Sequence, residues 1–398
     1  MLKGKTVVLG VTGSIAAYKT ANVASMLVKM GAEVHVVMTK NAVNFINPIA
    51  FETLTNHKCL VDTFDRNFQF HVAHVSLSKQ ADVFLIAPAT ANIIGKMANG
   101  IADDMLSTMI LAAKCPILVS PAMNTNMYEN QIVQDNLSKL RRYGMTVILP
   151  DTGRLACRDV GAGKMPKEEV LVDYVLREIA KEKDFAGKKV LVTAGPTRES
   201  LDPVRFISNH STGKMGYAVA RQAMLRGADV TLVSGPVAID PPPFVKIVHT
   251  QSAKDMFQAV TAESEEADII VMAAAVADYT PVETADHKIK KGGGDLSVTL
   301  ERTRDILAFL GEHKKEGQVL CGFSMETENV LENSRQKLVK KNADLIAANS
   351  LREAGAGFGT DTNHLTLITK ESTTDVPMMS KEDAADRLLT ELLALNKK

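Results

Sequence analysis

Short apolar runs alternate with amphipathic stretches along most of the chain. Residues 4–39, GKTVVLGVTGSIAAYKTANVASMLVKMGAEVHVVMT, contain an apolar run, a glycine turn, a stretch with apolar residues at helical spacing, Gly-Ala and a second apolar run. The same order returns from Gly187, in GKKVLVTAGPTRE and then STGKMGYAVARQAMLRGADVTLVSG. Such alternation is typical of β-α-β units with a parallel sheet.

The repeated pattern predicts an α/β protein with two tandem doubly wound domains, Rossmann-like or flavodoxin-like, whose sheets are mostly parallel. The charged stretch REIAKEKDFAGKK puts a boundary near Lys183 to Gly187, which gives domains of residues 1–185 and 186–398. The final stretch, KEDAADRLLTELLALNKK, predicts a closing amphipathic helix. Further strands are predicted at Val83–Ala87, Ile117–Ser120, Thr146–Leu149, Ile269–Ala273, Val319–Phe323 and Leu345–Ala348.

Composition narrows the class of protein. The 398 residues are 45% hydrophobic and 23% charged, with 46 basic and 46 acidic residues, so no global field attracts nucleic acid or a membrane. The N-terminal apolar run is broken by a G-V-T-G-S turn and predicts a first strand rather than a signal peptide. No stretch approaches the ~18 apolar residues of a membrane span. The four cysteines are far apart and form no CxxC pair: Cys59, Cys115, Cys157 and Cys321. This spacing fits a reducing cytoplasm and argues against a structural zinc site.

Small and hydroxyl residues follow two strands of the first half. Gly13-Ser14-Ile15 follows the first strand, and PATANIIGKMANGIADD follows the strand that begins at Val83. Ligands of doubly wound sheets bind at the carboxyl ends of strands, so these turns suit an anion; capping of helices by Ser14 and Thr90 is the alternative. A dinucleotide site is disfavoured because G-x-G-x-x-G is absent and Met38-Thr39-Lys40 offers no acidic ribose ligand.

Three further segments of the first half carry candidate chemistry. FHVAHVSLS holds His71 and His74, where a histidine on an apolar segment also fits a core position. SPAMNTNMY holds Asn124 and Asn126, which suit either a ligand carboxylate or an Asx turn. GRLACRDVGAGKM, residues 153–165, puts Cys157 in a glycine-rich basic segment that we predict to be a mobile loop.

The second half offers a phosphate site that is not a P-loop. RFISNHSTGKMG has Ser208 where the motif needs glycine and Met215 where it needs a hydroxyl, yet it opens a helix with a Ser-Thr-Gly turn. In AAAVADYTP, small residues permit close backbone approach and Asp278 is placed to contact a sugar or base. The basic run KIKK, Lys288 to Lys291, fits either a solvated edge or a site that neutralises phosphates.

Five first-half motifs together resemble a known family. GSIAAYK, HVAHVSLS, PATANIIGKMANGIADDML, PAMNTNMY and the Cys157 segment, in this order and spacing, resemble the flavin-dependent cysteine decarboxylases, in particular the phosphopantothenoylcysteine decarboxylases. The family's PASAN motif reads PATAN here, which keeps the hydroxyl. The resemblance implies FMN as cofactor, contacted by Gly13, Ser14, Ile15, Thr39, Ala89, Thr90, Asn92, Ser107 and Met123.

The resemblance also implies catalytic roles. Oxidation of the substrate's CH₂–SH group creates the electron sink that an N-acylated cysteine lacks, after which CO₂ can leave. His74 would take the thiol proton, which suits an imidazole with an ordinary pKa near ~6.5. Asn124 would hold the substrate carboxylate, and Cys157 would protonate carbon from a segment that closes over the substrate. Arg154, Arg158 and Lys164 would screen the substrate phosphate, or are solvated loop charges.

The second-half motifs, together with CGFSMETE, KLVKKNADLIAANS and FGTDTNHLTLI, resemble the phosphopantothenate–cysteine ligase half of bifunctional coenzyme A biosynthesis proteins. This resemblance implies an acyl-cytidylate formed from CTP and 4′-phosphopantothenate, then attack by the amine of cysteine. Mg²⁺ would arrive with CTP, Lys288 would stabilise phosphate charge, and Asn209 would bind phosphopantothenate or orient the cytidylate. The implied nucleotide contacts are Ala273, Ala274, Ala275, Asp278, Lys288, Asp305, Ile306, Leu307, Ala308, Phe323, Lys337 and Lys341.

One departure from the family pattern bears on this nucleotide site. Where the family commonly has Asn-Pro-Asp-Ile, this chain has Arg302-Thr303-Arg304-Asp305-Ile306.

The expected protein is therefore a cytoplasmic bifunctional enzyme of coenzyme A biosynthesis whose partners are 4′-phosphopantothenate, cysteine and CTP. The resemblance implies dimeric contacts between ligase halves and trimeric contacts between decarboxylase halves, and therefore a homo-oligomer, up to a dodecamer. Two alternatives are a flavin-binding regulatory protein that keeps the decarboxylase fold and an NAD dehydrogenase with two Rossmann halves. The intact set of His74, Asn124 and Cys157 argues against the regulatory protein.

Overall fold

The chain forms two compact units, Met1–Lys181 and Glu182–Lys398. The computed structural model describes residues 1–63, 73–154, 159–290, 296–326, 329–350, 357 and 359–396, without the side chains of residues 73–75, 326 and 350. Within these ranges, no helix is long and apolar enough to cross a membrane.

In its described residues, the first unit has seven strands and eight α-helices. The strands are β1 (Thr6–Val11), β2 (Glu33–Met38), β3 (Val83–Ala89), β4 (Ile117–Pro121), β5 (Thr146–Val147), β6 (Asp151–Arg154) and β7 (Val160–Lys164). The helices are α1 (Ala17–Lys29), α2 (Pro48–Thr55), α3 (Ala73–Gln80), α4 (Ala91–Asn99), α5 (Met105–Ala112), α6 (Thr125–Glu129), α7 (Gln131–Arg142) and α8 (Glu168–Ile179).

Five parallel strands form the central sheet of this unit, in the order β2-β1-β3-β4-β5. This is the strand order of flavodoxin-like folds. The chain passes from β1 to β2 on one side and then crosses to β3 on the other, so the carboxyl ends of β1 and β3 mark the switch point where such sheets bind ligands.

Helices cover both faces of this sheet, which explains its apolar strands. Val8, Phe84 and Ile86 pack into one buried cluster with residues of α4, α5 and α7. On the other side, α1 and α8 pack together and against β3. Strands buried on both faces read as continuous apolar runs rather than alternating ones.

The described part of the second unit has twelve strands and five helices. The strands are β8 (Lys189–Ala194), β9 (Arg198–Ser200), β10 (Phe206–Ser208), β11 (Asp229–Ser234), β12 (Lys246–His249), β13 (Ile269–Met272), β14 (Tyr279–Pro281), β15 (Leu300–Arg302), β16 (Val319–Glu326), β17 (Leu345–Ser350), β18 (Thr362–Thr369) and β19 (Thr373–Ser380). The helices are α9 (Lys214–Leu225), α10 (Ala253–Ser264), α11 (Ile306–Glu312), α12 (Val330–Lys340) and α13 (Lys381–Asn396).

Eight strands form the main sheet of the second unit, in the order β12-β11-β8-β13-β16-β17-β18-β19. The first six are parallel, and counted from β8 they follow the Rossmann order 3-2-1-4-5-6. The last two strands add antiparallel at one edge. The predicted fold class is confirmed, and so is the closing helix, α13.

The strand predictions differ from the structure in extent and in number. All six further strands predicted from apolar runs are present, with bounds that differ by one to three residues. The antiparallel pair β18–β19 is not among them, because neither strand is a continuous apolar run: β18 alternates between half-buried and buried positions, and β19 is mostly exposed or half-buried.

Candidate functional site

Thr12 joins the carboxyl ends of β1 and β3 at the switch point of the first unit. Its buried hydroxyl donates to the carbonyl of Pro88 at 2.7 Å, accepts from the Thr90 N–H at 3.1 Å and lies 3.3 Å from the Thr90 hydroxyl. Thr90 occupies the N-cap position of α4, but in this described segment its side chain makes no capping bond, so the capping alternative is wrong for Thr90. Sequence reasoning gave Thr12 no role, although a hydroxyl directly before the glycine turn was a visible signal.

A cavity of about 590 Å³ opens at this switch point. Glycine at position 13 lets the turn after β1 approach Asn41, on the segment after β2, because a Cβ at Gly13 would lie 2.8 Å from the Cβ of Asn41. Six of the predicted cofactor contacts line the cavity: Gly13, Ser14, Thr39, Thr90, Asn92 and Met123.

Three predicted contacts are not part of the lining among the described residues. Ile15 is 59% exposed, and Ala89 is fully buried in β3. Ser107 is 2% exposed, and its hydroxyl is bonded to Asp104 in the capping box that begins α5. Their predicted contact with a cofactor stays a prediction.

An ionic cluster that sequence reasoning did not assign also lines the cavity. Lys96 pairs with Asp103 at 2.6 Å and with Asp104 at 2.9 Å. Burial works to lower the pKa of Lys96, but its bonds to the two carboxylates outweigh burial and raise it. Burial likewise works to raise the pKa of Asp104, but hydrogen bonds from Ser107 and Lys96 outweigh burial and lower it. The cavity wall therefore carries a fixed cation between two anions. The sequence signal that could have identified this cluster is the GKMANGIADD segment, which contains all three residues.

The glycine-rich segment predicted as a loop is a β-hairpin in its described part. β6 and β7 pair antiparallel, with Arg154 opposite Val160. The glycines of β7 let it dock on the segment after β4: a Cβ at Gly163, whose φ is +130°, would lie 2.4 Å from the Met123 carbonyl oxygen, and a Cβ at Gly161 would lie 2.6 Å from Thr125. The Met123 N–H donates to the Gly163 carbonyl at 3.0 Å. The loop prediction was wrong for these two arms, because ladder bonds and close docking stabilise a strand without apolar alternation.

Asn124 connects this hairpin to the cavity rim. Its Oδ1 accepts from the Asn126 N–H at 2.9 Å, so the Asx-type interpretation is correct for that atom. Its Nδ2 donates to a carboxylate oxygen of Asp159 at 3.0 Å. The amide nitrogen of Asn124 therefore already bonds a carboxylate.

Two predicted catalytic groups lie outside the described atoms. Cys157 falls within residues 155–158, and the side chain of His74, near the start of α3, is also outside the description. The other thiols are described: burial raises the pKa of Cys59 to about 12 and also raises the pKa of Cys115 and Cys321. Buried thiols of this kind are poorly reactive.

A second cavity, of about 490 Å³, lies in the second unit beside the carboxyl ends of β13 and β16. Eight predicted nucleotide contacts line it: Ala274, Asp278, Asp305, Ile306, Leu307, Phe323, Lys337 and Lys341. Among the described residues, Ala273, Ala275, Ala308, Lys288 and Asn209 are not part of this lining.

Charge in this cavity is concentrated at the start of α11. Asp305 caps the helix by accepting from the Ala308 N–H at 2.9 Å and pairs with Lys341. Burial works to raise the pKa of Asp305, but the bond from Lys341, the Ala308 N–H and the charge of Lys337 outweigh burial and lower it. Lys337 donates to the Phe323 carbonyl at 2.8 Å. The charged residues of the lining are four basic ones, Arg302, Arg304, Lys337 and Lys341, and two acidic ones, Asp278 and Asp305, which leaves a net positive wall.

Asn209 and Ala275 meet at the switch point between β8 and β13. The Asn209 amide donates to the Ala275 carbonyl at 2.9 Å, and the Ala275 N–H donates to Gly195 at 2.9 Å. Gly216 permits close packing of α9 beneath this point, since a Cβ there would lie 2.7 Å from the Thr193 carbonyl oxygen.

Lys288 is exposed, and the next residue, Ile289, holds this segment in place by two hydrogen bonds. The neighbouring Ile289 N–H donates to Asp202 at 3.1 Å, and its carbonyl accepts from Arg205 at 2.7 Å. A bond from Arg205, together with backbone N–H groups, holds the pKa of the buried Asp202 well below its usual range. The anchoring pair therefore stays ionised.

The segment that departs from the family pattern lines the second cavity. Thr303 takes a structural role: its N–H donates to the Asp278 carbonyl at 3.0 Å and its hydroxyl to the Ala277 carbonyl at 2.7 Å. The guanidinium of Arg304 lies over the Phe257 ring, 5.2 Å from its centroid. Arg302 and Arg304 line both this cavity and a neighbouring one of about 690 Å³.

Comparison with known proteins follows the two units. Residues 1–180 match the family described as Flavoprotein, and residues 185–395 match the DNA/pantothenate metabolism flavoprotein C-terminal domain. The coenzyme A biosynthesis bifunctional protein CoaBC of Bacillus subtilis (strain 168) is 46% identical over 401 residues, which cover 100% of this chain and 98% of that protein. The chain belongs to the family of coenzyme A biosynthesis bifunctional proteins.

Other members of this family align equally completely. Those of Vibrio cholerae and Escherichia coli (strain K12) are 43% and 41% identical to this chain, each alignment covering 98% of it and 98% and 97% of the relative. The predicted family, its bifunctional enzyme role in coenzyme A biosynthesis and the flavoprotein character of its first half are confirmed.

Proposed function

We propose that residues 1–185 form an FMN-dependent phosphopantothenoylcysteine decarboxylase and residues 186–398 a CTP-dependent phosphopantothenate–cysteine ligase. The ligase product is then the decarboxylase substrate, so the chain turns 4′-phosphopantothenate and cysteine into 4′-phosphopantetheine. The observation that carries the proposal is the convergence of six predicted cofactor contacts on one cavity at the switch point of a flavodoxin-order sheet.

The residues of the first cavity fit FMN. Gly13 and Ser14 precede α1, where backbone N–H groups and the helix dipole favour a phosphate. The volume of about 590 Å³ and the mixture of Thr, Asn and Met side chains suit a ring with polar edges and apolar faces. Asn92 and Thr90 would contact polar atoms of the cofactor, and Met123 would pack against the ring. Bound FMN supplies acceptance and return of the hydride, which lets CO₂ leave the oxidised substrate.

The chain's own groups then move protons and hold the substrate. His74 would take the thiol proton, and the Asn124 amide, which now donates to Asp159, would hold the substrate carboxylate. The described arms of the β6–β7 hairpin dock on Met123 and Thr125, and in the sequence these two arms flank Cys157. Cys157 would protonate carbon; the raised pKa of the other three thiols supports this assignment.

The ligase half would bind CTP in the second cavity. Lys337 and Lys341 would offset the triphosphate charge, and Phe323 and the alanine segment would contact the nucleotide. Mg²⁺ would arrive bound to CTP, Lys288 would stabilise the charge that develops on phosphate, and Asn209 would orient phosphopantothenate or the cytidylate through the switch point that it shares with Ala275. We further propose that the enzyme acts in the cytoplasm as a homo-oligomer.

A cysteine substitution tests the decarboxylase assignment. With phosphopantothenoylcysteine as substrate, Cys157→Ser should release CO₂ and accumulate the enethiol, because only protonation of carbon is lost. Cys115→Ser, at a half-buried thiol whose pKa burial raises, is the matched control and should give the normal aminothiol. Mass spectrometry distinguishes the two products. Formation of the aminothiol by Cys157→Ser at the wild-type rate would show that Cys157 is not the proton donor to carbon.

A further inference from the structure

Three potential metal ligands meet at the edge of the first sheet, outside both cavities. Glu33 and His35 are two residues apart on β2, an edge strand, so their side chains leave the same face. His57 follows Asn56, whose left-handed backbone (φ 57°) ends α2 and turns the chain back over β2. The two imidazole rings stack, with centroids 4.2 Å apart and planes inclined by 29°.

Their donor atoms have the separations of a metal-binding group. His35 Nε2 lies 2.9 Å from Glu33 Oε1, and His57 Nε2 lies 3.8 Å from the same oxygen. One ligand atom from each of the three residues lies within 4.8 Å of the other two. Tetrahedral zinc with ligands at about 2.0–2.1 Å needs donor atoms about 3.3 Å apart. The two measured separations bracket that value, so small side-chain rotations bring the ligands around one ion.

The backbone on both sides of the group is fixed. The Leu60 N–H donates to the Val36 carbonyl at 2.9 Å, and the Met38 N–H donates to the Leu60 carbonyl at 2.8 Å. The Cys59 N–H donates to a carboxylate oxygen of Glu52 at 3.1 Å. The segment that carries His57 is therefore paired to β2, and an ion would bind ligands that are already held near their positions.

We propose that Glu33, His35 and His57 bind one borderline divalent transition-metal ion, such as Zn²⁺, with a fourth position open to water. Two imidazoles and one carboxylate are a ligand set that zinc takes in three-ligand sites. Mg²⁺ prefers an all-oxygen shell, so the site is distinct in its chemistry from the Mg²⁺ that accompanies a nucleotide.

The site lies a few residues from the cavity of the first unit. Val61, Asp62 and Thr63, which follow His57 in the chain, line that cavity. A bound ion ties the start of this segment to β2 by a contact additional to the Leu60 bonds. Because the ion binds the folded chain, it also raises the free energy of unfolding by linkage.

The test titrates the untagged full-length chain with Zn²⁺ in the absence of nucleotide. Calorimetry should give one Zn²⁺ per chain, and Co²⁺ should give the visible bands of a tetrahedral site at wavelengths beyond those absorbed by flavin. Zn²⁺ should raise the thermal unfolding midpoint. Glu33→Gln and His57→Asn should each weaken Zn²⁺ affinity by about tenfold or more, since loss of a mere supporting group already costs ~10–100-fold at metal sites.

His364→Asn is the matched control. His364 Nε2 lies 2.8 Å from Asp375 Oδ1, a pair with the same ligand types as His35 and Glu33, on strands of the second unit. This variant should bind Zn²⁺ as the wild type does. Absence of stoichiometric Zn²⁺ binding to the wild type would overturn the proposal, and so would a folded His57→Asn variant with undiminished affinity.

Discussion

Single hydroxyl, amide and ammonium groups at the ends of strands shape both cavities. Thr12 joins β1 to β3, and Thr303 ties the alanine segment to the start of α11. Asp305 caps a helix and pairs with Lys341 at the same time. Because each of these groups contacts two partners at fixed distances, we expect the loss of one contact to weaken ligand binding in the cavity more than it lowers the free energy of unfolding.

Asn124→Asp tests the carboxylate-binding role. Aspartate keeps the N-cap acceptor of α6 but places a negative charge beside Asp159 and the substrate carboxylate. Loss of a charged hydrogen bond of ~1.5–3 kcal/mol should lower the kcat/KM of decarboxylation by about 10- to 100-fold. Asn126→Asp, an exposed neighbour, is the control and should keep normal activity. A rate for Asn124→Asp within about twofold of wild type would refute the role.

Lys341→Met tests the positive wall of the second cavity. Methionine keeps the apolar stem but leaves Asp305 without its ion-pair partner, so the cavity wall becomes more negative where we propose that the triphosphate of CTP binds. The KM for CTP should rise about tenfold, the cost of ~1.4 kcal/mol, while decarboxylation stays unchanged. Lys340→Met, at the exposed preceding residue, is the control. An unaltered KM for CTP in Lys341→Met would contradict the assignment.

At the scale of elements, the β6–β7 hairpin is the feature that sequence patterns describe least well. Its docking depends on glycines rather than on apolar side chains, because β7 approaches the Met123 backbone too closely for a Cβ. The hairpin is thus positioned by backbone contact with the segment that carries Asn124. We expect substitutions there to affect the decarboxylase half alone.

Gly163→Ala tests this docking. The added Cβ would lie 2.4 Å from the Met123 carbonyl oxygen at a φ of +130°, so the hairpin must move. Decarboxylation should fall at least about tenfold while flavin absorbance and ligase activity persist. Gly144→Ala, also at positive φ but with nothing within 4 Å of the added Cβ, controls for backbone strain. Equal activities of the two variants would show that close docking is not needed.

The central strands could be predicted from the sequence because strands buried on both faces are continuous apolar runs. The arms of the hairpin, DTGR and VGAGK, carry no such signal. Most of the contacts that local motifs indicated line one of the two cavities, but the motifs do not give side-chain direction: Ser14 lines the first cavity, whereas its neighbour Ile15 is exposed. The bond between Asn209 and Ala275 joins residues 66 positions apart, which no local pattern specifies.

At the scale of the whole molecule, each unit has its own sheet, its own strand order and a cavity beside strand carboxyl ends. The first follows the flavodoxin order and the second the Rossmann order. Both architectures bind ligands where the strand order reverses, so a chain with two such points is suited to two reactions. The proposed function therefore requires both reactions to occur in sequence on one polypeptide.

Product identification tests this most directly. The purified full-length chain is supplied with 4′-phosphopantothenate, cysteine, Mg²⁺ and CTP, and the pantetheine species and CO₂ are measured together. If the proposed function is correct, the protein is yellow and forms 4′-phosphopantetheine together with one CO₂ per molecule of product. A colourless protein that takes up no FMN, and that stops at phosphopantothenoylcysteine without releasing CO₂, would contradict it.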